Sequence, residues 1–215
     1  MMQTSELQQR LNALGFDAGP VDGIDGPMTR TAVARFQLAC AQPRHYLAVD
    51  GIAGPLTFAA LQAVGNGALA PHFHVSELRT RTSLRGPKNG TCWVHRDLLL
   101  NLEELRARVG RPLPIVSAWR DVAHNSRVGG ASQSQHTFGA ASELARIGHR
   151  LRAGSLLQAG RAADFNRGYI TLDDCRALGL FSGMGWRRDG GRQWVTHVDV
   201  RASASPQRPA VWQYR

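Results

Sequence analysis

Apolar residues in the first third of the chain fall at helical spacing in three places. Leu7, Leu11 and Leu14 trace one stripe, Val33 and Phe36 a second, and Leu61 and Val64 a third; each predicts a short amphipathic helix. Units this short bury little apolar surface alone, so the three are expected to share one small core. Farther on, Leu98, Leu102, Leu105 and Val109 recur with the same period and Gly110 follows as a stop, which predicts a longer helix. Pro112 to Arg120 is β-branched in its middle and bounded by prolines, as a buried strand would be, with Arg120 at its end. Trp194 to Val200 also has strand composition, and a period of two puts Val195, His197 and Asp199 on one face. Leu144, Ile147 and Leu151, set among arginines, predict an extra helix within residues 140–159. Together these elements predict an α+β protein: an N-terminal three-helix bundle, then a C-terminal domain with a small antiparallel sheet flanked by helices.

A repeat sharpens the first part. Val21-Asp22-Gly23-Ile24-Asp25-Gly26-Pro27-Met28-Thr29 is echoed by Val49-Asp50-Gly51-Ile52-Ala53-Gly54-Pro55-Leu56-Thr57. In each copy an Asp-Gly turn is followed by a Gly suited to cap a helix and a Pro suited to its first turn. The stretch Gly65 to Pro71 then loses periodicity and is rich in small residues, which predicts a linker over 66–71 between a domain at 1–65 and a second at 72–215.

Composition limits the classes of function. The chain has 215 residues, 43% of them hydrophobic, enough for two modest cored domains. Cys40, Cys92 and Cys175 are odd in number and widely spaced; they read as free thiols in a reducing compartment rather than as disulfides or a zinc-thiolate site. The first residues carry no basic and apolar leader, and no stretch approaches a membrane span, so the expectation is a soluble chain made in the cytoplasm. A net charge of +10 favours polyanions, including an anionic envelope surface. The basic residues are nearly all Arg and scattered rather than gathered in a stripe, which argues against specific nucleic-acid binding.

The chemistry gathers in the second half. A lone His in a strand is ordinarily structural, but His197 is accompanied by Ser134-Gln135-His136-Thr137-Phe138-Gly139 and by Gly160-Arg161-Ala162-Ala163-Asp164-Phe165. Joined across the residues between, these read Ser-x-His-x-x-Gly-Arg-Ala-x-Asp. With Ser117-Ala118-Trp119-Arg120, the Asn125 to Gly130 turn and His197-Val198-Asp199, the second half resembles the zinc D-Ala-D-Ala carboxypeptidase and L-Ala-D-Glu endopeptidase family, which cuts peptidoglycan stem peptides. The segment from about Glu6 to Ala63 resembles the three-helix peptidoglycan-binding module in which Asp-Gly-x-x-Gly-Pro-x-Thr recurs.

These resemblances imply a Zn²⁺ cofactor, with His136, an acidic residue and His197 as ligands and one position left for water. They also place Ser134 and Arg120 where a substrate carboxylate is held. The implied activity is hydrolysis of stem-peptide amide bonds by zinc-activated water, with peptidoglycan as partner and a monomer as the working state. The D-Ala-D-Ala carboxypeptidase that trims walls is the alternative, and a noncatalytic wall-binding protein a further one. A wall-binding module, a zinc peptidase and no leader together suggest a phage endolysin, held in the host cytoplasm and then released to the wall.

This sequence departs from the family pattern in two places. Glu143 keeps the usual spacing after His136, whereas Asp164 keeps the residues at the cost of an insertion. A loop insertion adds little closure entropy, while Glu for Asp lengthens the ligand arm by a methylene; Asp164 is therefore expected as the ligand, with Glu143 as runner-up. The position three before His197, often an acid or His in relatives, is Trp194 and cannot take a proton. Asp189 could serve as general base from its polar loop or could be a turn residue, and Asp199 could orient His197. His72 and His74 are expected to pack or face solvent, and Glu103 and Glu104 point in different directions on one helix.

Overall fold

The computed structural model describes residues 2–42, 46–78, 93–137, 160–201 and 204–214. The helix predicted within 140–159, Glu143 and Cys92 lie outside the described residues. Three helices open the chain: α1 (Thr4–Ala13), α2 (Pro27–Ala39) and α3 (Pro55–Val64). Both α2 and α3 begin at the repeat prolines, each preceded by an extended Gly at the cap. Leu7, Leu11, Leu14, Val33, Phe36, Leu61 and Val64 are all buried, as the stripes predict.

The repeat has a specific structural cause. The buried Gln8 side chain donates to Asp22 Oδ1 (2.8 Å), the Ile24 carbonyl (3.2 Å) and Thr29 Oγ1 (3.0 Å), while its Oε1 accepts from the backbone of Asp22 and Gly23. Gln37 does the same one repeat later, with Asp50 (2.8 Å), Ile52 (3.1 Å), Thr57 (3.1 Å) and the backbone of Asp50 and Gly51. One buried amide thus ties the polar groups of each turn to its helix. Gly23 and Gly51 adopt positive φ, +75° and +71°, which explains the glycine of both Asp-Gly pairs.

Residues 66–71, expected as a linker, instead carry β1 (Ala68–Ala70), which pairs with β2 (Phe73–His74) ahead of the short helix α4 (Val75–Leu78). Leu69 and Ala70 are buried, and the backbone of Ala41 donates to the Leu69 carbonyl at 2.9 Å. Buried Arg96 donates to the Leu47 carbonyl at 2.7 Å, so the helical unit is hydrogen-bonded to the second half of the chain. The buried apolar side chains form one continuous core from Leu7 to Val200. Small residues suppress the strand signal in β1, and packing supplies the strand instead.

The long predicted helix is α5 (Arg96–Val109), with Leu98, Leu102 and Leu105 inward and Gly110 ending it in a left-handed turn. After it come β3 (Ile115–Ser117), α6 (Val122–Arg127), β4 (Ala162–Phe165), α7 (Leu172–Leu178), β5 (Gly183–Asp189), β6 (Arg192–Asp199) and β7 (Ala210–Gln213). Strand β3 is shorter than the predicted 112–120 because Pro112 and Pro114 cannot donate to a ladder. A capping box of Thr171 and Asp174 starts α7. The sheet has five strands in the order β3-β4-β6-β5-β7. It is antiparallel as predicted except at its edge, where β7 runs parallel to β5. None of the described helices is long and apolar enough to cross a membrane.

Candidate metal centre

One lateral row of the sheet carries the site. Ser117 pairs with Asp164, Asp164 with His197, His197 with Gly185 and Gly185 with Trp212, one residue from each of the five strands. Laterally paired residues project to the same face, so the register itself sets Asp164 beside His197. His136 arrives from the loop after α6. That loop is held at His136 and the residue before it: Arg120 N donates to the His136 carbonyl (3.1 Å) and Arg161 N to the Gln135 carbonyl (2.8 Å). Buried Asn125 closes the preceding turn by donating to the Ala131 carbonyl at 2.8 Å.

His136, Asp164 and His197 each bring one ligand-capable atom to a point, all within 4.8 Å of one another. His136 Nε2 is 3.1 Å and His197 Nδ1 is 2.8 Å from the same Asp164 Oδ1. The outer ring nitrogens fix which atoms carry hydrogen. His136 Nδ1 lies 2.5 Å from the Ala118 carbonyl, which can only accept, so Nδ1 is the N–H. His197 has a carboxylate at each nitrogen, Asp164 Oδ1 at 2.8 Å from Nδ1 and Asp199 Oδ2 at 3.1 Å from Nε2, and Asp199 can take the N–H when Nδ1 presents its lone pair.

With the rings neutral and those outer N–H groups in place, both inner nitrogens aim lone pairs at a carboxylate oxygen. Acceptor faces acceptor unless a proton or a cation lies between, and a divalent metal relieves both contacts at once. Where a proton on the rings, rather than a cation, fills that gap, the electrostatics are as follows. Burial works against the Asp164 carboxylate, yet hydrogen bonds and charge from His136 and His197 hold its pKa well below the usual range. Burial alone would lower the His197 pKa, but hydrogen bonds to Asp164 and Asp199 raise it. Two histidines and one carboxylate, each held from behind, are a donor set suited to a hydrolytic Zn²⁺.

The remaining predicted residues divide. Arg120 is at the centre, donating from Nη2 to Asp164 Oδ2 (2.5 Å) and from Nε to Ser117 Oγ (2.9 Å). Ser134 sits in the His136 turn, where its hydroxyl accepts from the His136 backbone at 3.4 Å. Asp189 is not brought to the cluster. It occupies the tip of the β5–β6 hairpin, four residues along β5 from the Gly185 that faces His197, roughly 13 Å by strand rise. There it pairs with Arg167 at 3.5 Å, both exposed; the two glycines after it make a turn, so the hairpin carries the side chain away from the sheet face. His72 bonds Glu103 and His74 bonds Ser76, away from the cluster.

Several residues at the centre were not singled out by the sequence. Arg201 continues the alternation of His197 and Asp199 and was readable on that basis. Trp212 stacks at 5.3 Å from the His197 ring, but its strand pairs with residues far away in sequence. Gly183 and Gly185 are the least visible. A methyl group at Gly185 would lie 2.5 Å from the Tyr214 ring and 2.9 Å from the Trp212 indole, so these glycines make room on the site's face of the sheet.

Residues 71–174 match the family described as Peptidase M15. That stretch is similar to the peptidase M15 family. It contains His136 and Asp164, whereas His197 lies beyond the match and takes its place at the site from the sheet register. Residues 3–61, ahead of the M15-like region, match the family described as a peptidoglycan binding domain. The chain is 36% identical over 130 residues to a zinc D-Ala-D-Ala carboxypeptidase of Streptomyces albus G, covering 58% of this chain and 49% of that relative. The chain thus spans about half the length of the curated relative it matches.

Proposed function

We propose that this chain is a zinc-dependent peptidoglycan peptidase in which His136, Asp164 and His197 hold the metal. The observation that carries the reading is the meeting of two imidazole lone pairs and a carboxylate at one partly exposed point, within a chain whose M15-like region resembles a zinc peptidase. Bound zinc would polarise the scissile carbonyl and acidify water at neutral pH. The protein's own contribution is to hold the donors: Ala118 fixes His136, and Arg120 with Ser117 fixes Asp164. Arg120, while keeping its contact to Asp164, and Ser134 would grip a substrate carboxylate.

The substrate we infer is the stem peptide of peptidoglycan, cut at an amide bond. Residues 1–65 would dock on the wall and residues 72–215 carry the catalysis, with residues 66–71 joining them as part of the packed structure. The finer reading is a phage endolysin that acts as a monomer, made in the host cytoplasm and released to the wall for host lysis; the net charge of +10 would favour an anionic envelope. Wall trimming as a D-Ala-D-Ala carboxypeptidase is the second reading, favoured by the name of the relative.

Mass spectrometry of peptidoglycan fragments after digestion, with and without a chelator, tests both. New stem-peptide termini that vanish with the chelator are expected, internal cuts marking an endopeptidase and loss of terminal D-Ala a carboxypeptidase. Intact stem peptides in both arms would contradict the proposal.

A further inference from the structure

Behind His197 lies a closed circuit of four side chains. The His197 ring meets Asp199 Oδ2 through Nε2 at 3.1 Å. Arg201 grips the same carboxylate, donating from Nε to Oδ1 at 2.8 Å, from its backbone N–H to Oδ1 at 3.2 Å and from Nη2 to Oδ2. The Arg201 guanidinium stands 5.1 Å over the Trp212 ring, and Trp212 stacks back on His197. Asp199 has no exposed surface, and Gly183 beneath it leaves the space its carboxylate fills.

We propose that Asp199 and Arg201 are positioning residues for the metal, holding the His197 ring so that Nδ1 is the atom presented to it. This inference rests on the zinc reading of the site. Either nitrogen of the His197 ring could be turned toward Asp164, and an acceptor fixed on Nε2 selects Nδ1. Asp199 is that acceptor. Its own orientation is set by Arg201, whose two-pronged grip leaves Oδ2 directed at the ring. Trp212 prevents the guanidinium from swinging out and closes the other side of the imidazole. A buried carboxylate deprived of Arg201 would lose its cationic partner while keeping its contact to His197, an unfavourable state from which it would turn or draw in water.

The test uses the full chain and measures zinc affinity by competition with a chromogenic chelator, with thermal denaturation of the zinc-free proteins alongside. Asp199→Asn and Arg201→Ala are each expected to weaken zinc binding about 10- to 100-fold. Arg201→Lys, which keeps a cation but loses the paired donors, is the milder variant and should fall between. The double variant should be little worse than either single one, because the pair acts as a unit. Zinc affinity within about twofold of wild type in folded Arg201→Lys or Arg201→Ala, with a lowered zinc-free melting temperature instead, would overturn the proposal in favour of a purely structural pair. A wild-type chain that takes up no zinc overturns the metal reading itself, and this inference with it.

Discussion

Gly183 lies directly beneath the Asp199 carboxylate: the two are partners in the β5–β6 ladder, and a methyl group on Gly183 would overlap both carboxylate oxygens. The obstacle is a buried, ion-paired group rather than the free end of a flexible chain. Gly183→Ala is therefore expected to lower stability by about 1–3 kcal/mol and to weaken zinc retention as well. Thermal denaturation with and without zinc checks this, and unchanged affinity in a destabilised protein would show that Asp199 keeps its place.

In the helical unit, Gln8 and Gln37 are the residues on which the turns depend. Replacing either by Leu leaves two backbone N–H groups and a carboxylate of the turn without their buried partner. Both variants are expected to be destabilised, Gln37→Leu more than Gln8→Leu, because Gly51 is buried whereas Asp22 and Gly23 are exposed to water. Urea denaturation measures the loss. A variant as stable as wild type would mean that water replaces the amide at no cost.

Legibility in the sequence depended on the kind of signal each element carries. Helix α5 was readable because its apolar period runs through most of its 14 residues. The convergence of His136, Asp164 and His197 was readable because they stand in a spaced motif. Gln8 and Gln37 were not, since a polar residue in an amphipathic helix looks like its wet face until the neighbouring turn folds onto it. Strands β5 and β7 escaped for a different reason: their pairing is between distant residues, and Gly183 and Gly185 contribute by what they lack. Asp189 was the converse case, a chemically suitable residue that the hairpin carries away from the site.

That displacement makes its own prediction. Asp189→Asn should leave zinc content and the rate of peptidoglycan hydrolysis within about twofold of wild type, because an exposed pair of this kind contributes at most about 1 kcal/mol. A collapse of hydrolysis with zinc retained would bring Asp189 back as the proton acceptor.

The thiols at 40 and 175 are both buried. Burial raises the Cys40 pKa, and burial together with the nearby Asp174 charge pushes Cys175 up to about 12. Since the thiolate is the reactive species and both shifts run upward, neither should react with iodoacetamide at pH 8 in the native protein, whereas both should do so in urea. Peptide mass spectrometry reads the labelling, and rapid native modification of either would contradict the packing around it.

The central claim is that His136, Asp164 and His197 together hold one zinc ion. Its most direct test is the zinc content per chain, by elemental analysis, of wild type and of folded His136→Ala, Asp164→Ala, His197→Ala and Glu143→Gln. One zinc per wild-type chain is expected, retained in Glu143→Gln and lost from the other three. Zinc retained in Asp164→Ala and lost from Glu143→Gln would contradict the claim.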